Sequence, residues 1–240
     1  MLTHDQARLI YDRFAAAPDW PRFYKRRPTA DAIKHGVLDC ANQVLEFGCG
    51  RGKFAEQLLS DMLSESAQDV GLDQSPMMVR LTRERLARFG SRAAVIQTSG
   101  EIRFPVESQS QDRVVSNYAL DLLSEEDIRL FLQESHRVLR PAGRLCIVGL
   151  SPGVGACSRL FSRAWAALHR VRPELVGGCR PVFVGAFVRP GPWKIRRDAQ
   201  VTVCCVSSEV LVLEKSSYAC PPPDNALKRT APGHDPSAAA

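Results

Sequence analysis

The 240-residue sequence predicts an α/β protein, with helices on both faces of a doubly wound, mostly parallel sheet. Two observations lead to this fold class. A mostly apolar run at residues 44–47 ends in the alternating glycines Gly48, Gly50 and Gly52, and an amphipathic run at 54–59 follows at once, which indicates a strand, a tight loop and a helix. Strand-like and helix-like segments then alternate as far as residue 214, as a doubly wound sheet requires.

Seven segments have the apolar and β-branched composition of strands, and segments of helical periodicity separate them. The predicted strands are residues 44–47, 70–73, 93–97, 112–117, 144–150, 193–206 and 210–214. The predicted helices are residues 3–17, 28–38, 54–59, 76–89, 125–139 and 158–170, with a short one at 181–188. We expect residues 1–38 to form a helical cap on the core of the same domain at 39–214, and the proline-rich residues 215–240 to form a disordered tail.

The glycine loop has the chemistry of a nucleotide-binding turn. Glycine tolerates positive φ and puts no Cβ between the backbone and a ligand, and the loop opens onto the N–H groups of a helix N-terminus. The spacing excludes two common ligand classes. Its third glycine comes one position too early for the dinucleotide fingerprint G-x-G-x-x-G, and no Walker-type phosphate loop is present. A plain strand–helix turn is the alternative.

An acid at the end of the second predicted strand supports a ligand site. Asp73 follows the glycine loop by roughly 20 residues, where a carboxylate accepts hydrogen bonds from ribose hydroxyls. Ser75 is a good N-cap and Pro76 suits the first helical turn, so a helix should begin directly behind the acid. The sequence therefore predicts a site for a nucleoside with an unphosphorylated ribose.

The loop at 46–52, Glu-x-Gly-x-Gly-x-Gly, resembles motif I of class I S-adenosylmethionine (SAM)-dependent methyltransferases. Residues 99–105 are similar to that family's loop after strand three, and residues 137–144 resemble its R-V-L-R-P-G-G turn. The opening at 11–15 is similar to the N-terminal helix of the ubiquinone/menaquinone-type, small-molecule members. The resemblance covers roughly residues 8–214. It implies a Rossmann-like sheet whose last strand is antiparallel, with the helical N-terminal cap over the SAM pocket.

The resemblance also implies which residues hold the cofactor, SAM. In the family, the glycine loop packs against the methionine part and the acid before it contacts the amino end. Acids matching Asp73 and Glu101 contact the ribose and the adenine amino group. The complete set of implied cofactor residues is Glu46, Gly48, Cys49, Gly50, Asp73, Gln74, Met78, Glu101 and Asn117. For Met78, core packing is the alternative.

Candidates for catalysis and acceptor binding lie beyond the predicted strand ends and in the cap. SAM carries the activated methyl group, so the protein has to orient the acceptor and exclude water. Tyr118 and Asp121 follow the fourth strand and are the best-placed catalytic candidates. The acceptor candidates share an aromatic or basic side chain and are Tyr11, Trp20, Tyr24 and Arg180. The alternatives are structural: Tyr118 packs, Asp121 caps a helix, the cap aromatics fill their own core, and Arg180 lies in an ordinary turn.

The charge and composition of the chain limit the kinds of partner that it can be expected to bind. The net charge of +6 is too small to indicate nucleic acid, whereas the basic and aromatic run 22–27 suits an anionic surface, an acidic substrate or a solvated face. No run of about 18 apolar residues predicts a transmembrane segment. The eight cysteines contain no C-x-x-C pair, so no metal site is predicted, and we expect reduced, mostly buried thiols in a cytoplasmic protein.

The sequence predicts methyl transfer from SAM to a small or lipid-like organic acceptor, with release of S-adenosylhomocysteine. Two alternatives stay open. One is a protein or RNA methyltransferase, although the low net charge and the absence of a proline pair after Asn117 argue against nucleic acid. The other is a SAM-binding protein without catalysis, which serves as a scaffold or sensor. The acceptor atom and the oligomeric state are not predicted.

Overall fold

One seven-stranded sheet lies at the centre of the protein in the computed structural model, which describes residues 22–189 and 191–216. Its strands are β1 (Gln43–Phe47), β2 (Gln68–Asp73), β3 (Ala93–Gln97), β4 (Gln111–Asn117), β5 (Leu139–Leu150), β6 (Trp193–Val203) and β7 (Val206–Lys215). They lie in the order β3–β2–β1–β4–β5–β7–β6. Strands β1 to β5 are parallel, and β7 runs antiparallel to both β5 and β6. The predicted Rossmann-like, mostly parallel sheet with an antiparallel last strand is confirmed.

The strand order reverses between β1 and β4. Strands β2 and β3 lie on one side of β1, whereas β4 and β5 lie on the other, and Leu45 of β1 pairs with Val114 of β4. In an open α/β sheet, ligands bind in the crevice at such a switch point, beyond the carboxyl ends of the strands. Phe47 and Asn117 end the two strands and mark that crevice.

Five α-helices of the described residues cover the sheet. They are α1 (Arg26–Gly36), α2 (Lys53–Asp61), α3 (Pro76–Leu86), α4 (Glu125–Val138) and α5 (Ala156–Val171). The start of α3 has the predicted cap, because Met78 N donates a hydrogen bond of 3.1 Å to Ser75 Oγ, with Pro76 in the first turn. Ser124 and Asp127 form a reciprocal capping box at the start of α4. Short 3-10 turns cover Arg22–Tyr24, Leu38–Cys40, Ala87–Arg92, Leu120–Leu122, Pro173–Val176 and Val184–Phe187.

The side chains of β5 contribute to two apolar layers. Leu145 and Ile147 pack in one cluster with Phe131 of α4. Cys146, which lies between them, belongs to a second cluster that includes Leu58 of α2. Alternate residues of a strand point to opposite faces of the sheet, so β5 is buried on both sides. This double burial explains why residues 145–150 of β5 carry no polar side chain.

Two strand arginines hold the C-terminal end of α1 against the sheet. Arg113 of β4 donates from Nε to Gly36 O at 2.7 Å and from Nη2 to Val37 O at 2.9 Å. Arg144 of β5 donates from Nη1 to His35 O at 2.9 Å. The last carbonyls of a helix have no partner inside it, so these three hydrogen bonds satisfy them.

The β6–β7 hairpin is joined covalently to α5. Cys204 and Cys205 form its turn, with φ values of 45° and 67°, and such a turn matches the twist of paired strands. A disulfide links Cys205 to Cys157 at the start of α5. The expectation of reduced, mostly buried thiols is therefore wrong. The turn brings together two cysteines that are 48 residues apart, and Cys40, Cys157 and Cys204 are exposed.

Three predicted element boundaries are corrected. The strand predicted at 193–206 is interrupted by the hairpin turn, and the strand predicted from residue 144 already begins at Leu139. The helix predicted at 181–188 is reduced to a 3-10 turn at Val184–Phe187. The backbone just before that turn bonds instead to the end of β5, which prevents a longer helix.

Some predictions fall on other parts of the chain. The predicted helix at 3–17 and the predicted tail beyond residue 216 lie outside the described residues. Within residues 22–189 and 191–216, no helix combines the length and the apolar character that a membrane crossing requires.

Candidate functional site

A cavity of about 1240 Å³ lies at the switch point of the sheet, beyond the ends of β1, β2 and β4. All nine residues that the sequence assigns to the cofactor line it: Glu46, Gly48, Cys49, Gly50, Asp73, Gln74, Met78, Glu101 and Asn117. They come from four separate segments of the chain. The strand order, rather than any local sequence, brings them to one place.

The three glycines of the loop have different surroundings. All have positive φ, at 73° for Gly48, 53° for Gly50 and 69° for Gly52. A Cβ on Gly48 would overlap Cβ of Ala119, and a Cβ on Gly52 would overlap the methyl group of Thr82. A Cβ on Gly50 would meet no protein atom within 4 Å. Packing therefore requires glycine at the two outer positions, whereas the backbone at Gly50 is open toward the cavity.

Asp73 joins the glycine loop to the start of α3. Its Oδ2 accepts a hydrogen bond of 2.9 Å from Gly50 N, and its Oδ1 accepts one of 2.9 Å from Ser75 N. Each carboxylate oxygen can accept more than one hydrogen bond, so Asp73 can hold the loop and also receive ligand hydroxyls. The structure thus gives this carboxylate a fixed position at the cavity wall.

Two polar side chains in the cavity wall have buried atoms without partners. Glu46 Oε2 and both amide atoms of Asn117 make no hydrogen bond with the described residues. Glu46 ends the buried part of β1 and Asn117 ends β4, so both lie at the switch point. Unpartnered buried polar atoms are costly, and a ligand with an ammonium or other polar group would satisfy them.

The carboxyl of Glu46 also has an unusual electrostatic environment. Burial raises its pKa well above the ordinary value, and the neighbouring carboxylates Asp69 and Asp73 raise it further. Asp69 lies on β2, is itself fully buried, and has its pKa raised by burial. A cationic group beside Glu46 would reverse this effect, because an opposite charge favours the ionised carboxylate.

Tyr118 lies in the cavity wall, but its hydroxyl is already engaged. The hydroxyl is hydrogen-bonded to Ser208 Oγ at 2.9 Å, and burial raises the pKa of the phenol above its ordinary value. Lys25 Nζ lies 4.4 Å from the centre of the Tyr118 ring, and Tyr24 packs edge-on against the same ring. Tyr118 therefore presents an aromatic surface to the cavity rather than a free base.

Three predicted catalytic or acceptor residues lie away from the cavity wall. Asp121 is fully buried, and both its carboxylate oxygens lie 3.0 Å from Leu150 N of β5, which donates to them. Arg180 donates from Nη2 to Leu123 O at 2.8 Å. Tyr24 is buried against Tyr118. The predictions of direct contact from Asp121, Arg180 and Tyr24 are not supported by these positions, and Tyr11 and Trp20 lie outside the described residues.

One wall of the cavity is formed by residues outside the motifs that predict the cofactor site. Arg26, Thr29, Ala30 and Ile33 of α1 line it, with the i, i+3, i+4, i+7 spacing of one helix face. This spacing is the signal that could have identified the wall. Further lining residues outside the assigned cofactor set are Phe23, Lys25 and Arg27 of the basic and aromatic run 22–27, together with Arg51, Lys53, Phe54, Gln57, Thr98, Leu123 and Asp127.

Comparisons with known proteins agree with this geometry. Residues 44–143 match the family model described as a methyltransferase domain. The malonyl-[acyl-carrier protein] O-methyltransferase of Hahella chejuensis is 33% identical over 139 residues, which are 58% of this chain and 44% of that protein. The carboxy-S-adenosyl-L-methionine synthase of Photorhabdus laumondii is 26% identical over 106 residues, which are 44% of this chain and 42% of that protein. The chain thus spans less than half the length of these two curated relatives.

A solved structure supports the same fold. The SAM-dependent methyltransferase from Aquifex aeolicus has a TM-score of 0.61 at 20% identity, and the match covers 85% of this chain and 97% of that one. Residues 44–143 are thus similar to a methyltransferase domain, and the described residues have the fold of SAM-dependent methyltransferases. The narrower similarity to the ubiquinone/menaquinone type stays a prediction.

Proposed function

We propose that the protein transfers a methyl group from SAM to a small or lipid-like organic acceptor and releases S-adenosylhomocysteine. The observation that carries this proposal is the convergence of nine motif residues on one cavity at the switch point. The methyltransferase relatives described above support a small acceptor.

The cavity residues fit the chemical groups of SAM. The unpartnered Glu46 Oε2 suits an ammonium group, and the open backbone at Gly50 allows close approach of a ligand chain. The fixed carboxylate of Asp73 suits ribose hydroxyls, and Glu101 suits an exocyclic amino group. When bound, SAM supplies a methyl group activated by a positive sulfonium. The residues of the chain then have to hold the acceptor in line and keep water out.

The remaining wall indicates the kind of acceptor. A volume of about 1240 Å³ exceeds what one drug-sized ligand needs, so the cavity has room for a second molecule beside the cofactor. The cavity lining also combines the apolar side chains of Phe23 and Ile33 with the basic side chains of Lys25, Arg26 and Arg27. An apolar acceptor that carries an acidic group matches this combination.

The basic run 22–27 also suits contact with an anionic surface. Its members Lys25, Arg26 and Arg27 line the cavity, which supports the acidic-substrate interpretation for this run. The cytoplasmic location stays a prediction.

Two experiments on the full-length chain test the proposal. In calorimetry, S-adenosylhomocysteine should bind and NAD should bind more weakly, since the loop lacks the dinucleotide spacing; tighter binding of NAD would overturn the cofactor assignment. Labelled SAM is then incubated with fractions of metabolites, lipids, protein and RNA. Label in a metabolite or lipid product supports the proposal, and label in protein or RNA contradicts it. Binding without turnover in every fraction would indicate a scaffold or sensor.

A further inference from the structure

Helix α5 turns its apolar face to solvent. Leu160 is 72% exposed and Val171 is 78% exposed, and Phe161 and Leu168 between them are also exposed. The spacing of these four residues places them on one side of the helix. A surface helix of a globular protein ordinarily buries this side against the core.

The opposite side of α5 packs on the protein. Ser158 is buried there, Trp165 Nε1 donates to Cys179 O at 2.9 Å, and His169 Nε2 donates to Gly178 O at 3.1 Å. The Cys157–Cys205 disulfide fixes the start of the helix to the β6–β7 hairpin. These contacts hold α5 with its apolar side outward, so the exposure follows from defined packing.

Two further exposed apolar residues flank the helix in the sequence. Val154 and Leu175 are each 55% exposed, so six large apolar side chains within 154–175 form what we name the α5 surface. They are Val154, Leu160, Phe161, Leu168, Val171 and Leu175. Those six are more than half of the eleven exposed large hydrophobic residues in the described part of the chain. Such a concentration marks an interaction surface rather than scattered exposure.

The charged side chains of helix α5 have one sign. Arg159, Arg163 and Arg170 recur at helical spacing along one border of the apolar side, and Arg172 follows directly after the helix. No acidic residue occurs between residues 151 and 173, and the first acid beyond the helix is Glu174, beside Leu175. An apolar stripe bordered by arginines is the pattern of a helix that lies in the surface of a membrane with anionic lipids.

We propose that α5 binds the surface of an anionic lipid bilayer, with the α5 surface among the acyl chains and the bordering arginines at the lipid phosphates. A second copy of the chain fits less well, because an antiparallel two-fold pairing of α5 would bring two rows of arginines together. The inference goes beyond the proposed function and does not depend on the acceptor. Helix α5 is nevertheless connected to the site. It follows the carboxyl end of β5, and Arg180, which comes after α5 in the sequence, donates a hydrogen bond to Leu123 O in the cavity wall.

The test is flotation of the full-length chain with lipid vesicles. One set contains phosphatidylcholine alone, and the other contains phosphatidylcholine with about one-third phosphatidylglycerol. We expect flotation with the anionic vesicles, weaker flotation with the neutral ones, and a loss of binding as salt is raised. The variant Leu160→Glu/Val171→Glu should bind anionic vesicles at least about tenfold more weakly. The variant Arg163→Gln/Arg170→Gln should weaken binding to anionic vesicles by about tenfold and leave binding to neutral vesicles unchanged.

Matched controls carry the same changes elsewhere. Leu130→Glu/Ile195→Glu places acids on two exposed apolar positions outside α5, and Lys34→Gln/Lys194→Gln removes two positive charges from other exposed positions. Both should float like the parent. All variants should retain the parent's melting temperature and its affinity for S-adenosylhomocysteine, which separates this test from that of the proposed function. The absence of flotation, equal flotation of Leu160→Glu/Val171→Glu, or a dimer in solution that this variant abolishes would each overturn the proposal.

Discussion

The backbone N–H of Gly50 donates a hydrogen bond of 2.9 Å to Oδ2 of Asp73, so the middle glycine of the loop is joined directly to the acid at the end of β2. Two motifs that are 23 residues apart in the sequence therefore form one unit. A change at either residue affects the position of the other, and the first two predictions use this relationship.

Replacement of Asp73 by alanine should weaken binding of S-adenosylhomocysteine. The variant loses the charge-assisted acceptor for ribose hydroxyls and releases the Gly50 and Ser75 N–H groups, so we expect a loss of about tenfold to hundredfold in affinity. Calorimetry measures the change. Asp39→Ala, at an exposed position outside the cavity, is the control and should bind normally. An unchanged affinity in folded Asp73→Ala would remove this residue from the site.

Substitution of the loop glycines should separate binding from folding. A Cβ at Gly50 meets no protein atom within 4 Å, so Gly50→Val should melt cooperatively, at a cost of about 1–2 kcal/mol for positive φ, and should not bind S-adenosylhomocysteine. Gly52→Val has the same backbone strain and also overlaps Thr82, so its melting temperature should fall further. Calorimetry and thermal melting distinguish the two. Retained binding in Gly50→Val would show that the loop is only a turn.

The burial of Asp121 should make the stability of the protein depend on pH. Burial raises the pKa of this carboxyl to about 7, so the folded state keeps a proton that the unfolded chain releases near pH 4. The unfolding free energy should therefore fall as pH rises between about 4 and 7. Asp121→Asn removes this pH dependence. Between pH 5 and pH 8, the unfolding free energy of the variant should therefore rise by about 3 kcal/mol relative to that of the parent. Denaturant titrations of both proteins at the two pH values measure these free energies. If variant and parent differ by the same amount at both pH values, the pKa of Asp121 is not raised.

Loss of the Tyr118 hydroxyl should affect stability more than catalysis. The hydroxyl pairs with Ser208 inside the protein, so Tyr118→Phe should cost about 1 kcal/mol of unfolding free energy. Its affinity for S-adenosylhomocysteine and its rate of methyl transfer should stay close to those of the parent. Ser208→Ala is the matched control, because it removes the same hydrogen bond from the other side. A loss of activity in Tyr118→Phe that Ser208→Ala does not share would establish a catalytic hydroxyl.

Removal of the disulfide should lower stability without affecting the cavity. The bond closes a loop of 48 residues, for which chain entropy predicts a contribution of about 4 kcal/mol. Cys157→Ser/Cys205→Ser should lose up to this amount in denaturant unfolding and keep its affinity for S-adenosylhomocysteine. The control Cys40→Ser changes an exposed free thiol and should behave like the parent. If a reducing agent leaves the stability of the parent unchanged, the two cysteines are not bonded.

The features that the sequence predicts well are local ones. The glycine loop, the acid at Asp73 and the cap at Ser75 are each read within a few neighbouring residues, and all appear where they were expected. Side chains whose roles depend on distant partners were missed. Asp121 lies beyond a strand end, as a catalytic acid would, but its partner is Leu150 N, 29 residues away. The pairing of Cys157 with Cys205 could not be predicted for the same reason, because the hairpin turn and the start of the helix come together only in the folded chain.

The anchoring of α1 has a consequence for the width of the cavity. Arg113 and Arg144 fix the C-terminal end of the helix, whereas side chains near its N-terminal end line the cavity. The eleven residues of α1 span about 16 Å, and Arg197 of β6 also holds the middle of the helix, because its Nε donates to Asp31 Oδ2 at 2.9 Å. Arginines of three different strands thus determine how far this wall stands from the glycine loop.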